Sequence, residues 1–340
     1  FFKQKTAYEI LTCDWSSDVC SSDLSPERKM SDARILVVGS TMMDLIAYAQ
    51  RLPEVGETLV GDRFQMGFGG KGANQAVMAA RFGVPVAMVN AVGNDAYGAA
   101  HMENFAREGI DTTWMRSVEG SSGVAPIWVD AKGKNRIIII PGANNSTDPS
   151  IAEAAVREFK PSIVVGELEI PQHVTLAAFR AARAAGITTL LNPAPAAILD
   201  DALLAATDWL APNETEFATI FGGEPRGDGA NARIKAAAVA SKARLVVTLG
   251  SAGAVIARPG EELIAIPAPE ANVVDTTGAG DAFLGAFAFG LASGLDAVEA
   301  AKLSVACASK SVERLGTQSS YLSREDAAAL AAPYLAKGGA

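Results

Sequence analysis

Short apolar runs, separated by alanine-rich stretches with helical spacing, constrain this chain more than any other feature. The run RILVV at 34–38 ends at Gly39, and comparable runs recur at 86–92, 162–166, 187–191, 207–211 and 245–249. A run that is apolar at consecutive positions reads as a strand buried on both faces, as in parallel sheets. Between these runs, segments such as AAFRAARAAG at 177–186 carry helical spacing and close on a glycine. The alternation predicts an α/β fold, a mostly parallel central sheet flanked by helices on both faces. With 340 residues the chain is long enough for one large domain of this kind.

Two segments interrupt the alternation. Residues 42–66 and 122–140 are extended, and DAKGK at 130–134 is a hairpin signal before RIIII. With no helix nearby to cover them, they read as a small β-sheet lid able to close on a ligand. The expected organisation is a single domain over 30–340 that includes these lid strands.

Residues 1–29 are unlike the rest. FFKQKTAYEILTCDWSSDVCSSDL holds two of the three cysteines and no lasting periodicity. It also lacks the basic start, apolar centre and small-residue cleavage site of a secretory signal. Met30, followed by SDARILVVG, reads as the start, and 1–29 as a non-native or disordered extension. Cys307 is then the one remaining cysteine, which suits a reducing, cytoplasmic setting. His101 and His173 stand far apart without cysteine company, which argues against a zinc site. A net charge of −9 weighs against nucleic acid or an anionic membrane surface as partner. No apolar stretch is long enough to cross a bilayer.

Two glycine clusters carry the chemistry. In VDTTGAGDAF, 274–283, Gly278 and Gly280 precede Asp281, and the apolar residues after it have helical spacing. Asp281 therefore falls in a first helical turn, where an acid is favoured by the helix dipole alone. The exposed N–H groups of the same turn also make an anion site, and an anion site beside a carboxylate suits catalysis better than stability. In MGFGGKGANQA, 66–76, Gly67, Gly69 and Gly72 satisfy G-x-G-x-x-G, but not in the turn after the first strand, where dinucleotide binding needs it. Lys71 is followed by glycine, so the stretch is not a P-loop either. A tight loop before the helix NQAVMAARFG explains the glycines, and a polyhydroxy ligand explains Lys71 and Asn74 as well; both readings stand on this segment alone. Asp44 and Glu169 follow strand ends where ligands bind in such sheets, although an acid there also suits a turn. In DWLAPNETEF, 208–217, Asn213 reads as an N-cap, and capping accounts for its acidic first turn. The glycines of TLGSAG, 248–253, make either a hairpin or a close approach to a nucleotide.

Together GGKGAN, NPAPA at 192–196, PNETE, TLGSAG and DTTGAGD, in this order over residues 34 to about 322, resemble the ribokinase and phosphofructokinase-B family of carbohydrate kinases. The resemblance implies a ribokinase-like fold and an ATP-dependent sugar kinase, a phosphotransferase acting on an alcohol group. By resemblance Asp281 is the general base, and the N–H groups of Gly278, Ala279 and Gly280 form an anion hole. Sugar contacts fall on Met42, Asp44, Gly70, Lys71, Asn74, Glu169 and Asp281. Nucleotide contacts fall on Asn213, Glu216, Thr248, Gly250, Ser251, Gly253 and Gly280. Mg2+ is expected with the ATP phosphates near Glu216. A monovalent cation, K+, maps to Asp275, Thr277, Ser311, Arg314, Gly316 and Ser320. The family also implies a homodimer through the lid.

Met42 stands where ribokinases usually carry asparagine, two residues before Asp44. A thioether is a weak acceptor and no donor, so the pocket is expected to favour a sugar lacking a secondary hydroxyl, 2-deoxyribose, with ribose also accepted. The stretches MMDLIAYAQRLPEVGETL, SSGVAP and GTQSSY are similar to deoxyribokinases. Val305 stands where the family often has a polar residue near adenine. The rival readings are a kinase of the family for another sugar or a nucleoside, a non-catalytic sugar sensor, and a nicotinamide-dependent oxidoreductase that leaves DTTGAGD unexplained.

Overall fold

The computed structural model describes residues 32–337. The expectations for residues 1–29 and for a start at Met30 lie outside the described residues.

The chain opens with β1 (Ile35–Val38), β2 (Met42–Tyr48), β3 (Arg63–Gly69), α1 (Lys71–Arg81), β4 (Val86–Gly93), α2 (Ala96–Arg107) and β5 (Asp111–Val118). It continues through β6 (Val124–Val129), β7 (Asn135–Ile137), α3 (Pro149–Phe159), β8 (Ile163–Gly166), α4 (Gln172–Ala184) and β9 (Thr188–Leu191). Then come α5 (Asp201–Ala205), β10 (Trp209–Leu210), α6 (Glu214–Phe221), α7 (Ala230–Ser241), β11 (Arg244–Thr248), β12 (Ala254–Ala257) and β13 (Ile264–Ile266). Three helices, α8 (Ala279–Ala292), α9 (Ala297–Ser311) and α10 (Arg324–Lys337), complete it.

The large sheet runs β13-β12-β11-β10-β9-β8-β1-β4-β5. Its strands pair in parallel from β5 to β11, and β12 and β13 close one edge antiparallel. Alternate side chains of β1 enter two separate cores. Ile35 and Val37 join Met78, Phe287 and Leu303 on the face covered by α1, α8 and α9. Leu36 and Val38 join Val156, Phe179 and Ala238 on the face covered by α3, α4 and α7. Burial on both faces is why these strands read as unbroken apolar runs.

The second sheet, β3-β2-β6-β7, is the small separate sheet expected from 42–66 and 122–140. Its inner face holds a small cluster of Met42, Ala125 and Ile127. Some of its other apolar residues, Phe64, Met66 and Ile137, are exposed, as is Ile138 just beyond β7.

One local feature differs from the sequence expectation. Helix α1 begins at Lys71 rather than after a loop, so Lys71 and Asn74 belong to its first turn. Gly70 makes this possible by entering the helix at φ 89°. Gly72 lies so close to the β1–β2 turn that a Cβ would stand 2.6 Å from the Ser40 nitrogen.

Candidate active site

Several of the residues singled out from sequence, Glu169 after β8, Asn213 after β10 and Thr248 at the end of β11, follow the carboxyl ends of parallel strands, where α/β sheets bind ligands. Helix α8 is entered through Gly278, which is left-handed at φ 76°, and Asp281 is in its first turn as expected. The helix interior is almost wholly apolar and buried, so this first turn is held in place by packing. Asp281 is 6% exposed. Its Oδ2 accepts from Asn74 Nδ2 at 3.0 Å, and its Oδ1 accepts from Gln75 Nε2 at 3.0 Å. Each carboxylate oxygen keeps a second lone pair for a further donor. The Ala279 N–H turns back on the Thr276 carbonyl at 3.2 Å, so an anion at this end meets chiefly the Gly278 and Gly280 amides.

Around Asp281 the structure assembles a ring of acids and one lysine. Burial, then the charges of Glu169 and Asp281, pushes Asp44 up to about 7. Glu169 Oε2 accepts from Ser40 Oγ at 2.5 Å and from the Lys71 backbone N–H at 2.9 Å. Burial alone would lower the Lys71 ammonium, but Asp281, Glu169, Glu216 and Glu167 outweigh it and raise its pKa. A neutral polyol offers hydroxyl donors to these acids and an acceptor to the lysine, whereas an anionic sugar would meet repulsion.

Met42 opens β2 and is 2% exposed, with Sδ 3.7 Å from Asn144 Nδ2. The Asn144 amide in turn holds the Thr41 backbone at both ends, accepting from its N–H at 2.9 Å and donating to its carbonyl at 2.8 Å.

Asn213 caps α6 in a capping box. Its Oδ1 accepts from the Glu216 N–H at 2.9 Å, and Glu216 Oε2 accepts from the Asn213 N–H at 2.8 Å. Burial raises the Glu216 carboxyl. Thr248 donates its N–H to Pro212 at 3.0 Å and so joins this segment to the β11–β12 hairpin carrying Gly250, Ser251 and Gly253. Val305 is buried in α9. Asp275 Oδ1 accepts from Thr277 N and Oγ1, and its Oδ2 accepts from the Gly316 N–H at 2.9 Å. Ser311 and Ser320 donate their hydroxyls to Ala308 and Thr317 carbonyls, and Arg314 lies in the loop between them. Two clusters therefore emerge, one around Asp281 and one around Asn213, with the 275–320 loop contacts beside α8. No hydrogen bond links the β11–β12 hairpin residues to Asp281 among the described residues.

Several participants escaped sequence reasoning. In the sequence Gln75 is simply one polar residue in a helix. Its Nε2 is shared between Asp281 and Asn192 Oδ1, at 3.2 Å from the latter. Glu167, wholly buried, accepts from the Ser40 N–H at 2.6 Å, and burial together with Glu169 raises its pKa well above the ordinary range. Arg226 pairs with Glu214 and donates to the Leu249 carbonyl beside the hairpin. The pattern ELE at 167–169 was the one available signal for Glu167.

A family model described as pfkB family carbohydrate kinase matches residues 32–324. A deoxyribokinase of Salmonella typhi is 40% identical over 296 residues, covering 86% of this chain and 96% of its own. A ribokinase of Mus musculus is 39% identical over 317 residues, covering 90% of this chain and 97% of its own. Among solved structures, Arabidopsis thaliana ribokinase complexed with ribose and ATP superposes with a TM-score of 0.79 at 31% identity, covering 88% of this chain and 98% of that one. Ribokinase from Thermotoga maritima gives the same TM-score at 34% identity, covering 88% and 99%.

Proposed function

Since the chain belongs to the pfkB family of carbohydrate kinases, we propose that it transfers the γ-phosphate of ATP to the 5-hydroxyl of 2-deoxy-D-ribose or D-ribose. The observation that carries this reading is the Asp281 carboxylate, oriented by Asn74 and Gln75 at a helix N-terminus that also offers free amides. The names and ligands of the relatives support a pentose as acceptor and ATP as donor.

In this reading Asp281 takes the proton as the sugar oxygen bonds to the γ-phosphorus and the bond to ADP breaks. The Gly278 and Gly280 N–H groups, with Ala279 between them, face the charge developing on the transferred group. Asp44, Gly70, Lys71, Asn74 and Glu169 orient the sugar. Asn213, Thr248, Gly250, Ser251 and Gly253 line the nucleotide side. Glu216 would stand near Mg2+, which when bound would neutralise phosphate charge. Among the described residues no three His, Cys, Asp or Glu side chains cluster to cage a metal, which fits an ion carried largely by the nucleotide. Asp275, Thr277, Ser311, Arg314, Gly316 and Ser320 offer only oxygens of the side chain or backbone to a cation, a hard donor set that suits K+. The exposed apolar residues of the lid support a homodimer formed through it. No helix among the described residues is long and apolar enough to cross a membrane. Separately, the free thiol of Cys307 suits a reducing compartment, and we assign the enzyme to the cytoplasm. We also retain 30–340 as one catalytic unit.

Substrate choice is assigned to Met42. The test compares kcat/KM for 2-deoxyribose, ribose and a nucleoside in the native protein and in Met42→Asn. Native preference for deoxyribose and a shift toward ribose in the variant support the reading. A nucleoside as best acceptor overturns the pentose assignment, and an unmoved ratio removes Met42 as its determinant.

A further inference from the structure

The amide that faces Asp281 is gripped from behind. Asn74 Oδ1 accepts from Gln318 Nε2 at 3.0 Å, and Gln318 Oε1 accepts from Asn104 Nδ2 at 2.9 Å. Asn104 Oδ1 then accepts from an Arg107 guanidinium N–H at 3.3 Å. All three amides are buried. An amide can present either end to a neighbour, so three in series can run in two directions. The two ends of the series permit one of them. A carboxylate only accepts and a guanidinium only donates, so every amide must turn its nitrogen toward Asp281 and its oxygen toward Arg107.

We propose that Gln318 is a positioning residue for Asp281, fixing through Asn74 which end of that amide meets the carboxylate, with Asn104 and Arg107 setting the direction of the chain. This inference rests on the reading of Asp281 as the base. A second set of contacts anchors the loop that carries Gln318. Arg81 donates to the carbonyls of Gln318 at 3.0 Å and of Tyr321 at 3.3 Å, while it pairs with Glu108. Tyr321 donates its hydroxyl to the Gly278 carbonyl at 2.9 Å. One loop thus registers both the base and the helix start that offers its amides.

The test exploits direction, which a purely structural role does not. Asn104→Asp keeps the shape but offers only acceptors, so Gln318 must turn its nitrogen away from Asn74. Asn104→Ala deletes the link and leaves Gln318 free to donate to Asn74. Gln318→Glu cannot donate at all. On whichever sugar the native enzyme phosphorylates, kcat is expected to fall more than ~10-fold in Asn104→Asp and Gln318→Glu but only about threefold in Asn104→Ala, with the KM for ATP unchanged. Thermal midpoints should run the other way, because Arg107 can pair with the new carboxylate while alanine leaves a gap. An Asn104→Ala enzyme as slow as Asn104→Asp would overturn the proposal. Full turnover in Asp281→Asn would instead overturn the base assignment, so the two failures are told apart.

Discussion

Gly285 lies directly against Gln75: a Cβ on Gly285 would stand 2.8 Å from the Gln75 carbonyl oxygen. It would also stand 2.8 Å from Met78 Cβ. Gly285 is one turn along α8 from Asp281, and Gln75 is the residue whose amide holds Asp281 Oδ1. The absent side chain therefore sets how closely α1 and α8 approach, and that spacing lets Asn74 and Gln75 reach the carboxylate.

Gly285→Ala should consequently harm the site more than the fold. Overpacking of this kind costs about 1–3 kcal/mol, partly offset by the better helix propensity of alanine, worth about 1 kcal/mol. A small fall in thermal midpoint is expected. Turnover should drop by roughly 10-fold or more, because a catalytic group displaced by about 1 Å can lose 10²-fold. Thermal unfolding and kcat on the same preparation check this. Intact turnover would mean the helix spacing does not position the base.

Asp44 gives a pH signature. Its carboxyl is raised from 3.8 to about 7, by burial first and then by Glu169 and Asp281. Between those values the native state holds a proton that the unfolded chain has released. The contribution of Asp44 to stability is therefore full below about pH 4 and is lost as pH rises through about 7. The native protein should lose thermal midpoint relative to Asp44→Asn between pH 5 and 8. Sugar binding runs the opposite way, since only the ionised carboxylate is a pure acceptor for hydroxyls. The sugar KM should fall as pH rises through about 7, and Asp44→Asn should abolish that dependence. A KM slope unchanged in the variant would remove Asp44 from the sugar site.

Gly280 separates packing from ligand approach. A Cβ there would meet nothing within 4 Å, so no neighbour requires a glycine. Gly280→Ala should leave the thermal midpoint unchanged or higher, by up to about 1 kcal/mol of helix propensity. Its kcat/KM for ATP should nevertheless fall, because the methyl group crowds the amide that an incoming phosphoryl oxygen would meet. Full activity in this variant would place the phosphoryl group elsewhere.

Much of this architecture is legible in the sequence because burial writes itself into local pattern. The strand runs of β1, β8 and β11, the Asn213 cap and the lid strands all follow from short-range rules. Asp281 in a first helical turn does too, since the apolar spacing after it is unbroken. What is hidden depends on distant partners. The start of α1 is masked by Gly70 and Gly72, whose reason lies in the β1–β2 turn they touch. Gln75, Asn104 and Gln318 look like ordinary polar residues, and their role depends on the direction in which buried amides face across more than two hundred residues of chain.

The account turns on Asp281 accepting the proton of the sugar hydroxyl. The most direct measurement is the single-turnover rate of phosphoryl transfer in Asp281→Asn, beside its thermal midpoint and its ATP affinity. A loss of about 10²–10⁴ in rate, with folding and ATP binding retained, is the predicted result. Transfer at the native rate in a folded, ATP-binding variant would contradict it.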